Sequence, residues 1–531
     1  MRDTEPALFD RRGACYLLWV QFTRALAVLA LLQGLLYCSL LPLWEGFDEP
    51  YHYGYVEHLG SEREVPVAGR TVLPEETWQS MHLAPASYLN VRNVPDLIPF
   101  DAYFKMDAAA RRDLRARLYT LPPELRTKQT GPYNYEAQQP PLAYVPLAAM
   151  QWVAPGGAIP WRVFRLRLFC VFASLALLIY AAARLGQSMG MNPAYLAAAV
   201  FLLLTTQNLY AAVAHVANDW LSVALIPLLF LAAERFWRKP EVRQTALFAL
   251  ALTAGLLAKS YFLIFVPFAF LLVLWAGRKQ VWLFTGLVAA LAGPWYIRNV
   301  LLYDSLTGLQ ASVRAIPRAA IIQTILSASW PRALAGMARG TLWNANSSFT
   351  SFSQTTLNVL LLLLAAGGAF WLLGIRHRRG TPAEWMLFGG SSVFAAVPIY
   401  AMVLASTGLG LVYSNANSWH SAGLLPGAFL LAMRGFSRGG RTGRWLARAA
   451  LALNVYVLAL TYFAKLIPLY AGFDGRATSR FLSDLYLHQR GELVARLSDA
   501  AMLSGGAVMA LSLATTVYAA ILAYRLCRAL D

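Results

Sequence analysis

Long apolar runs constrain this chain more than any other feature. Stretches such as "ALAVLALLQGLLYCSLLPLW" and "LSVALIPLLFLAAERFW" approach the roughly 20 apolar residues that a bilayer-spanning helix needs. Inside hydrocarbon every backbone polar group must be paired within the protein, which leaves helices and closed barrels. A barrel would show alternating hydrophobicity, and no such pattern competes here. The expectation is an all-α polytopic membrane protein. Charged residues agree, at 14% of the chain against roughly 25% in soluble domains.

The net charge of +18 does not make this a nucleic-acid binder. Basic residues of membrane proteins gather in cytoplasmic loops and set topology. The four cysteines, Cys15, Cys38, Cys170 and Cys527, lie in or beside apolar segments without a CxxC pattern. Neither a zinc site nor a disulfide frame is indicated. The first apolar run is long and lacks an A-x-A-like end, so it reads as a retained helix rather than a signal peptide.

Charge then orients the spans. Arg2, Arg11 and Arg12 place the N-terminus in the cytoplasm, and the first helix, about 22–43, exits at "WEGFDEP". A hydrophilic stretch follows to about residue 164, with a short proline-bracketed run at 140–154 read as a juxtamembrane helix lying at the interface. With that choice the later basic clusters all fall cytoplasmic: Arg184, 234–243, 278–279, "RHRR" at 376–379, 434–448, and Arg525 with Arg528. The result is one domain, 1–531, with about 12 spans and both termini inside. Extracytoplasmic loops fall at about 44–164, 296–354 and 470–499.

That outer face collects the chemistry. Asp48 and Glu49 follow the first span, with Pro50 fixing the backbone and His52 and three tyrosines close behind. An acidic cap where the chain leaves the bilayer explains the pair; so does a general base or metal ligand. "YEAQQPPLAY" opens the juxtamembrane helix, where prolines suit a first turn. The same segment offers Glu136, Gln138 and Gln139 to a shared cavity. "AHVANDW" brings His215, Asn218 and Asp219 to the end of a span. An N-cap accounts for Asn218 or Asp219, but not for His215, and ionisable groups at membrane depth usually face a cavity. Lys259, next to Tyr261, is either a snorkelling lysine or an ammonium aimed at a phosphate. Arg298 beside Trp295 and Tyr296 could fork onto a phosphate, although such aromatics are ordinary in interfacial belts. His420 sits at another external mouth. Cations for a phosphate, a base for a hydroxyl and apolar walls for a tail suit a lipid-phosphate substrate.

The order of these motifs resembles the GT-C-fold membrane glycosyltransferases, a group that includes protein O-mannosyltransferases and lipid A aminoarabinose transferases. The matching segments are "FDEPYH", "QQPPLAY", "VANDWLSV", "LAKSYFLIFVP", "GPWYIRNVLLYDSLTG" and "SWHSAGLLPG", running from about residue 20 to 430. "DEPYH" and "PWYIRN" are the most specific. The resemblance implies a polyprenyl-phosphate-linked sugar donor and a glycan, lipid or protein acceptor. Transfer with inversion would occur on the outer face of the bacterial inner membrane. It implies that Asp48 is the catalytic acid of the first loop, with Glu49 its acidic neighbour and Asp219 the acid of the second external loop. Lys259 and Arg298 fall where the resemblance makes phosphate contacts plausible, and the residues themselves add His52, Gln139, His215, Asp219, Tyr261 and His420 as candidate substrate contacts. A divalent cation, magnesium or manganese, could be held by Asp48, Glu49 and Asp219. Two departures stand out. Many relatives have His where this chain has Gln139, and an "RYLLP"-like segment where it reads "WHSAGLLP". Either His420 replaces that arginine or the head group is held differently. A lipid-linked glycan flippase and a polysaccharide polymerase or ligase are the competing classes. The absence of an internal repeat speaks against the first.

Overall fold

The computed structural model describes residues 6–308, 315–348, 350–377, 380–409, 418–473 and 478–531. Arg378 and Arg379 of "RHRR" and residues 410–417 of "LVYSNANSWH" therefore lie outside the described residues. The chain is a bundle of long apolar helices with a unit of short helices inserted after the first. Among the described residues eight helices are long and apolar enough to cross a bilayer, and nine if the bent pair Pro193–Thr205 and Gln207–Val213 counts as one span. A count of about 12 would need the shorter helices Val242–Ala258, Ser260–Ala276 and Leu425–Arg438 to cross as well. The run at 140–154 folds as a turn, Pro141–Ala143, and a nine-residue helix, Val145–Val153. Such a helix rises only about 13 Å, too little to cross roughly 30 Å of hydrocarbon.

Small residues let the spans approach closely. A methyl added at Gly367 would lie 2.7 Å from the Ala432 carbonyl oxygen, so the helices Gln354–His377 and Leu425–Arg438 meet backbone to backbone. Their basic ends meet those of other helices. Arg434 and Arg438 both bond Glu384 at 2.8 and 2.6 Å, Arg434 also reaches the Gly190 carbonyl, and Arg238 reaches that of Ser188. Several clusters that charge assigned to one side of the membrane thus share one end of the bundle.

The inserted unit runs from the end of the first helix, Pro6–Leu40, to the start of Ile159–Ser188. It holds a small antiparallel ribbon, Val72–Pro74 against Gln129–Tyr133. Buried ion pairs brace it. Arg162 meets Glu76 at 2.5 Å, Arg126 pairs with Glu57, and Gln151 donates to Glu57 at 2.8 Å. Arg111 bonds Asp499 at 2.7 Å, tying this unit to the last long loop.

Candidate active site

The chain leaves its first span through residues 41–48, and two of these adopt left-handed backbone: Trp44 at φ 66° and Asp48 at φ 52°. For a bulky residue that conformation is strained, at about 1–3 kcal/mol, and it persists only where surroundings hold it. Here they do: the Trp44 indole donates to Ser80 Oγ at 3.0 Å, and its carbonyl accepts from Asn90 at 2.8 Å. The resulting sharp turn presents Asp48.

Asp48 is the N-cap residue of the helix Glu49–Glu62, yet its side chain makes no capping bond. One oxygen instead accepts from the Tyr135 hydroxyl at 2.6 Å, and the residue stays partly exposed. Helix capping therefore does not account for this side chain. Burial raises the Asp48 carboxyl above its usual range, against the Tyr135 hydrogen bond and the Lys259 charge.

The turn 135–139 links Asp48 to a second acid. Gln139 donates to Glu136 Oε2 at 2.8 Å and accepts from Asn218 at 3.0 Å, next to Asp219. Lys259 then bonds Asp219 at 2.6 Å and lies over the Tyr261 ring at 5.4 Å. Among the described residues this is the only hydrogen bond of the Lys259 ammonium, a group with three donors. His52 bonds the Tyr144 hydroxyl at 2.8 Å and sits 4.0 Å from Glu136. Burial, helped by Lys259, holds its imidazole well below the usual range, so it is neutral. Glu136 moves the other way: burial and the Asp48 charge push it up to about 8. His420 stands edge-on to Tyr261 at 6.4 Å, its imidazole pushed down to about 3 by burial and Lys259. Asp48, His52, Gln139, Asp219, Lys259, Tyr261 and His420 therefore belong to one polar cluster, and Glu136 joins them.

Three expected site residues make no hydrogen bond to this cluster among the described residues. Glu49 is completely buried and faces away from Asp48. Its oxygens take Arg167 at 2.7 and 2.5 Å, and Oε1 also accepts from the Val216 amide at 3.0 Å. Arg167 spends its other donors on the carbonyls of Leu41 and Pro42, so the pair clamps the end of the first helix. His215 is also sealed. A methyl added at Gly46 would lie 2.7 Å from its ring carbon, and its Nε2 is buried without a partner among the described residues. Arg298 sits at the rim, donating to the Pro66 carbonyl at 3.0 Å and lying over Trp295 at 4.8 Å. Its Nη1 is buried without a partner among the described residues.

The metal expectation meets the same obstacle. Glu49 is engaged by a guanidinium and a backbone amide, and Asp219 by an ammonium. No group of three His, Cys, Asp or Glu able to hold a metal exists among the described residues. The residues present do not fit the cation suggested for Asp48, Glu49 and Asp219. Two important partners escaped sequence reading. Tyr135 carried no signal beyond adjacency to Glu136. Arg167 did: an arginine inside an apolar helix demands a partner.

No family model and no curated protein matches the chain. Solved structures do resemble it. ArnT from Cupriavidus metallidurans bound to undecaprenyl phosphate matches at 12% identity and a TM-score of 0.46, over 96% of this chain and 77% of that one. The Archaeoglobus fulgidus oligosaccharyltransferase in its apo form matches at 12% identity and 0.44, over 91% of this chain and 56% of that one. The same organism's AglB, in complex with an inhibitory peptide and dolichol phosphate, matches at 13% and 0.39, over 90% and 55%. The chain thus spans little more than half of the oligosaccharyltransferase. All three scores lie below 0.5, so the chemistry has to be read from this chain's own residues.

Proposed function

We propose that the protein transfers a sugar from a polyprenyl-phosphate donor to an acceptor hydroxyl, with inversion at the anomeric carbon. The supporting observation is Asp48, a half-buried residue whose carboxyl interacts electrostatically with a buried ammonium, Lys259, that has only one acidic partner among the described residues. Undecaprenyl and dolichol phosphate, named with ArnT and AglB, are the kinds of carrier this reading brings to the chain.

Asp48 takes the acceptor proton as the hydroxyl oxygen attacks C1. The C1–oxygen bond to the phosphate breaks, and the polyprenyl phosphate leaves with the bonding pair. Lys259, poised by Asp219, stabilises the charge gathering on that phosphate. A carboxyl raised by burial suits a base, because its basicity then approaches the operating pH. Tyr135 orients the carboxylate and Gln139 fixes the turn between the two acids. Glu49 plays no part in the transfer; it anchors the loop.

The decisive experiment is Asp48→Asn in purified protein reconstituted in lipid, assayed with radiolabelled polyprenyl-phosphate sugars. The variant is expected to fold and bind donor but to lose turnover about 100-fold or more, the scale of a lost general base. Near-normal transfer would sink the reading. The site is proposed to face outward from the bacterial inner membrane, with both termini cytoplasmic. Reporter fusions after residues 190 and 378 should then both report cytoplasm, and external signals from both would invert the orientation.

A further inference from the structure

We propose that the cleft between the helices Glu75–Leu83 and Ala108–Tyr119 is a docking subsite for a neutral glycan, the acceptor of the transfer. The proposal deepens the glycosyltransferase reading and rests on it. The cleft encloses about 530 Å³, within the roughly 300–1,000 Å³ of small-molecule sites. Glu75, Gln79, His82, Arg117 and Thr120 give it a polar wall and Trp78, Leu83, Leu121 and Pro122 an apolar one, and none of them takes part in the transfer chemistry.

Its wall offers an aromatic surface framed by hydrogen-bonding groups already held in place. Trp78 is half-buried, and its ring meets His82 edge to face with centroids 4.7 Å apart. His82 is pinned at both nitrogens, 3.0 Å from the Trp78 carbonyl and 3.2 Å from Asp96. Glu75 accepts from Gln79 at 2.6 Å and from the Thr130 hydroxyl, which fixes its carboxylate. An indole face suits the C–H face of a pyranose, and the surrounding groups suit its hydroxyls. The charges of Glu75 and Arg117 oppose each other, so the lining favours neither an anion nor a cation.

Position supports the assignment. The opposite face of Glu75–Leu83 carries Ser80, bonded to Trp44 at 3.0 Å, and Glu76, paired with Arg162. Trp44 belongs to the strained turn that presents Asp48. The helix Glu75–Leu83 thus stands between the cleft and Trp44.

Saturation-transfer NMR on the full chain in nanodiscs, with maltotetraose, chitotetraose and mannotetraose as probes, tests this without requiring turnover. At least one probe is expected to bind. Trp78→Ala should weaken that binding tenfold or more, while Trp78→Phe, which keeps an aromatic face and guards against a folding defect, should hold it within about threefold. Absence of binding by all three probes overturns the proposal. So does binding that survives Trp78→Ala but vanishes in Asp48→Asn, which would put the glycan at the transfer site. Saturation of the cleft by a Ser/Thr-rich hexapeptide in place of the glycans would assign it to a protein acceptor and also overturn the proposal. Failure of the parent reading looks different, because it appears as Asp48→Asn protein that still transfers sugar.

Discussion

Asp48 and Glu49 are neighbours in sequence, yet one faces a mixed polar cluster and the other a sealed clamp. Glu49 meets Arg167 through both oxygens with neither residue exposed. Around Asp48 the balance is uneven: acids at 48, 136 and 219 act on one another, and Lys259 is the buried ammonium among them. A fully matched ion pair has no free valence for a substrate. The mismatched cluster does, and its members accordingly carry shifted protonation. Completeness of pairing, rather than acidity, separates scaffold from site.

The strongest way to break this comparison is to exchange the consequences. Glu49→Gln leaves Arg167 buried with its charge uncompensated, which should destabilise the protein by about 3–5 kcal/mol. Thermal unfolding in detergent would show a large drop, whereas Asp48→Asn should unfold close to wild type while losing turnover. If Glu49→Gln stays stable and loses activity instead, the clamp is misassigned and Glu49 returns to the chemistry.

Lys259→Met sharpens the other half. Losing a charged partner of a buried phosphate costs roughly 2–5 kcal/mol of affinity. Donor-lipid binding should therefore fall by about 30-fold or more, with Asp219 left unpaired as a secondary cost in stability. Unchanged donor affinity would reduce Lys259 to a counter-ion for Asp219. Arg298→Ala should have a smaller effect. Its guanidinium already holds the Pro66 carbonyl and lies over Trp295, so part of its fork is engaged before any ligand arrives. About a tenfold loss of donor binding is expected. A larger loss than that of Lys259→Met would move the phosphate to the rim.

Much of this is legible in the sequence. Apolar runs announced the helices, and the polar insertions in "FDEPYH", "YEAQQPP", "VANDW" and "AKSY" announced the cluster, because charge at membrane depth is costly and needs a reason. Direction was not legible. Asp48 and Glu49 differ in role because a left-handed residue turns one side chain out and the following helix turns the next one in. Nothing in the pattern D-E-P encodes that. His215 is a similar case: the sequence sets an imidazole beside an external acid but does not show that Gly46 packs against its ring. The buried pairs of Arg162 with Glu76 and Arg167 with Glu49 join residues 86 and 118 positions apart. Such partners can be suspected from intramembrane charge, but not assigned.

Glu136 offers the finest test, because its protonation is the clearest mark of uneven pairing. In the unfolded chain its carboxyl titrates near 4.5, whereas in the fold burial and the Asp48 charge push it up to about 8. The folded state therefore keeps a proton that the unfolded state releases between those values. Stability from this group is complete below the lower value and declines as pH rises toward the upper one. Glu45, on the same loop, is also pushed up to about 8 by burial, with one oxygen on the Ser348 amide and Tyr470, and it contributes a slope of the same sign. His52 and His420, held neutral in the fold, take up protons only on unfolding and so contribute a slope of the opposite sign below about pH 6.5. The expected fall in melting temperature, a few degrees, is thereby confined to about pH 7 to 8. Glu136→Gln, which mimics the protonated form, should flatten that slope and leave the part due to Glu45. A protonated Glu136 also spares Asp48 a second negative neighbour, so the variant should keep most of its transfer at neutral pH and lose less than wild type above pH 8. A slope unchanged by Glu136→Gln would mean that Glu136 is ionised in the fold. The cluster would then hold its charges by some compensation other than the shared proton, and the contrast with the Glu49–Arg167 clamp would narrow accordingly.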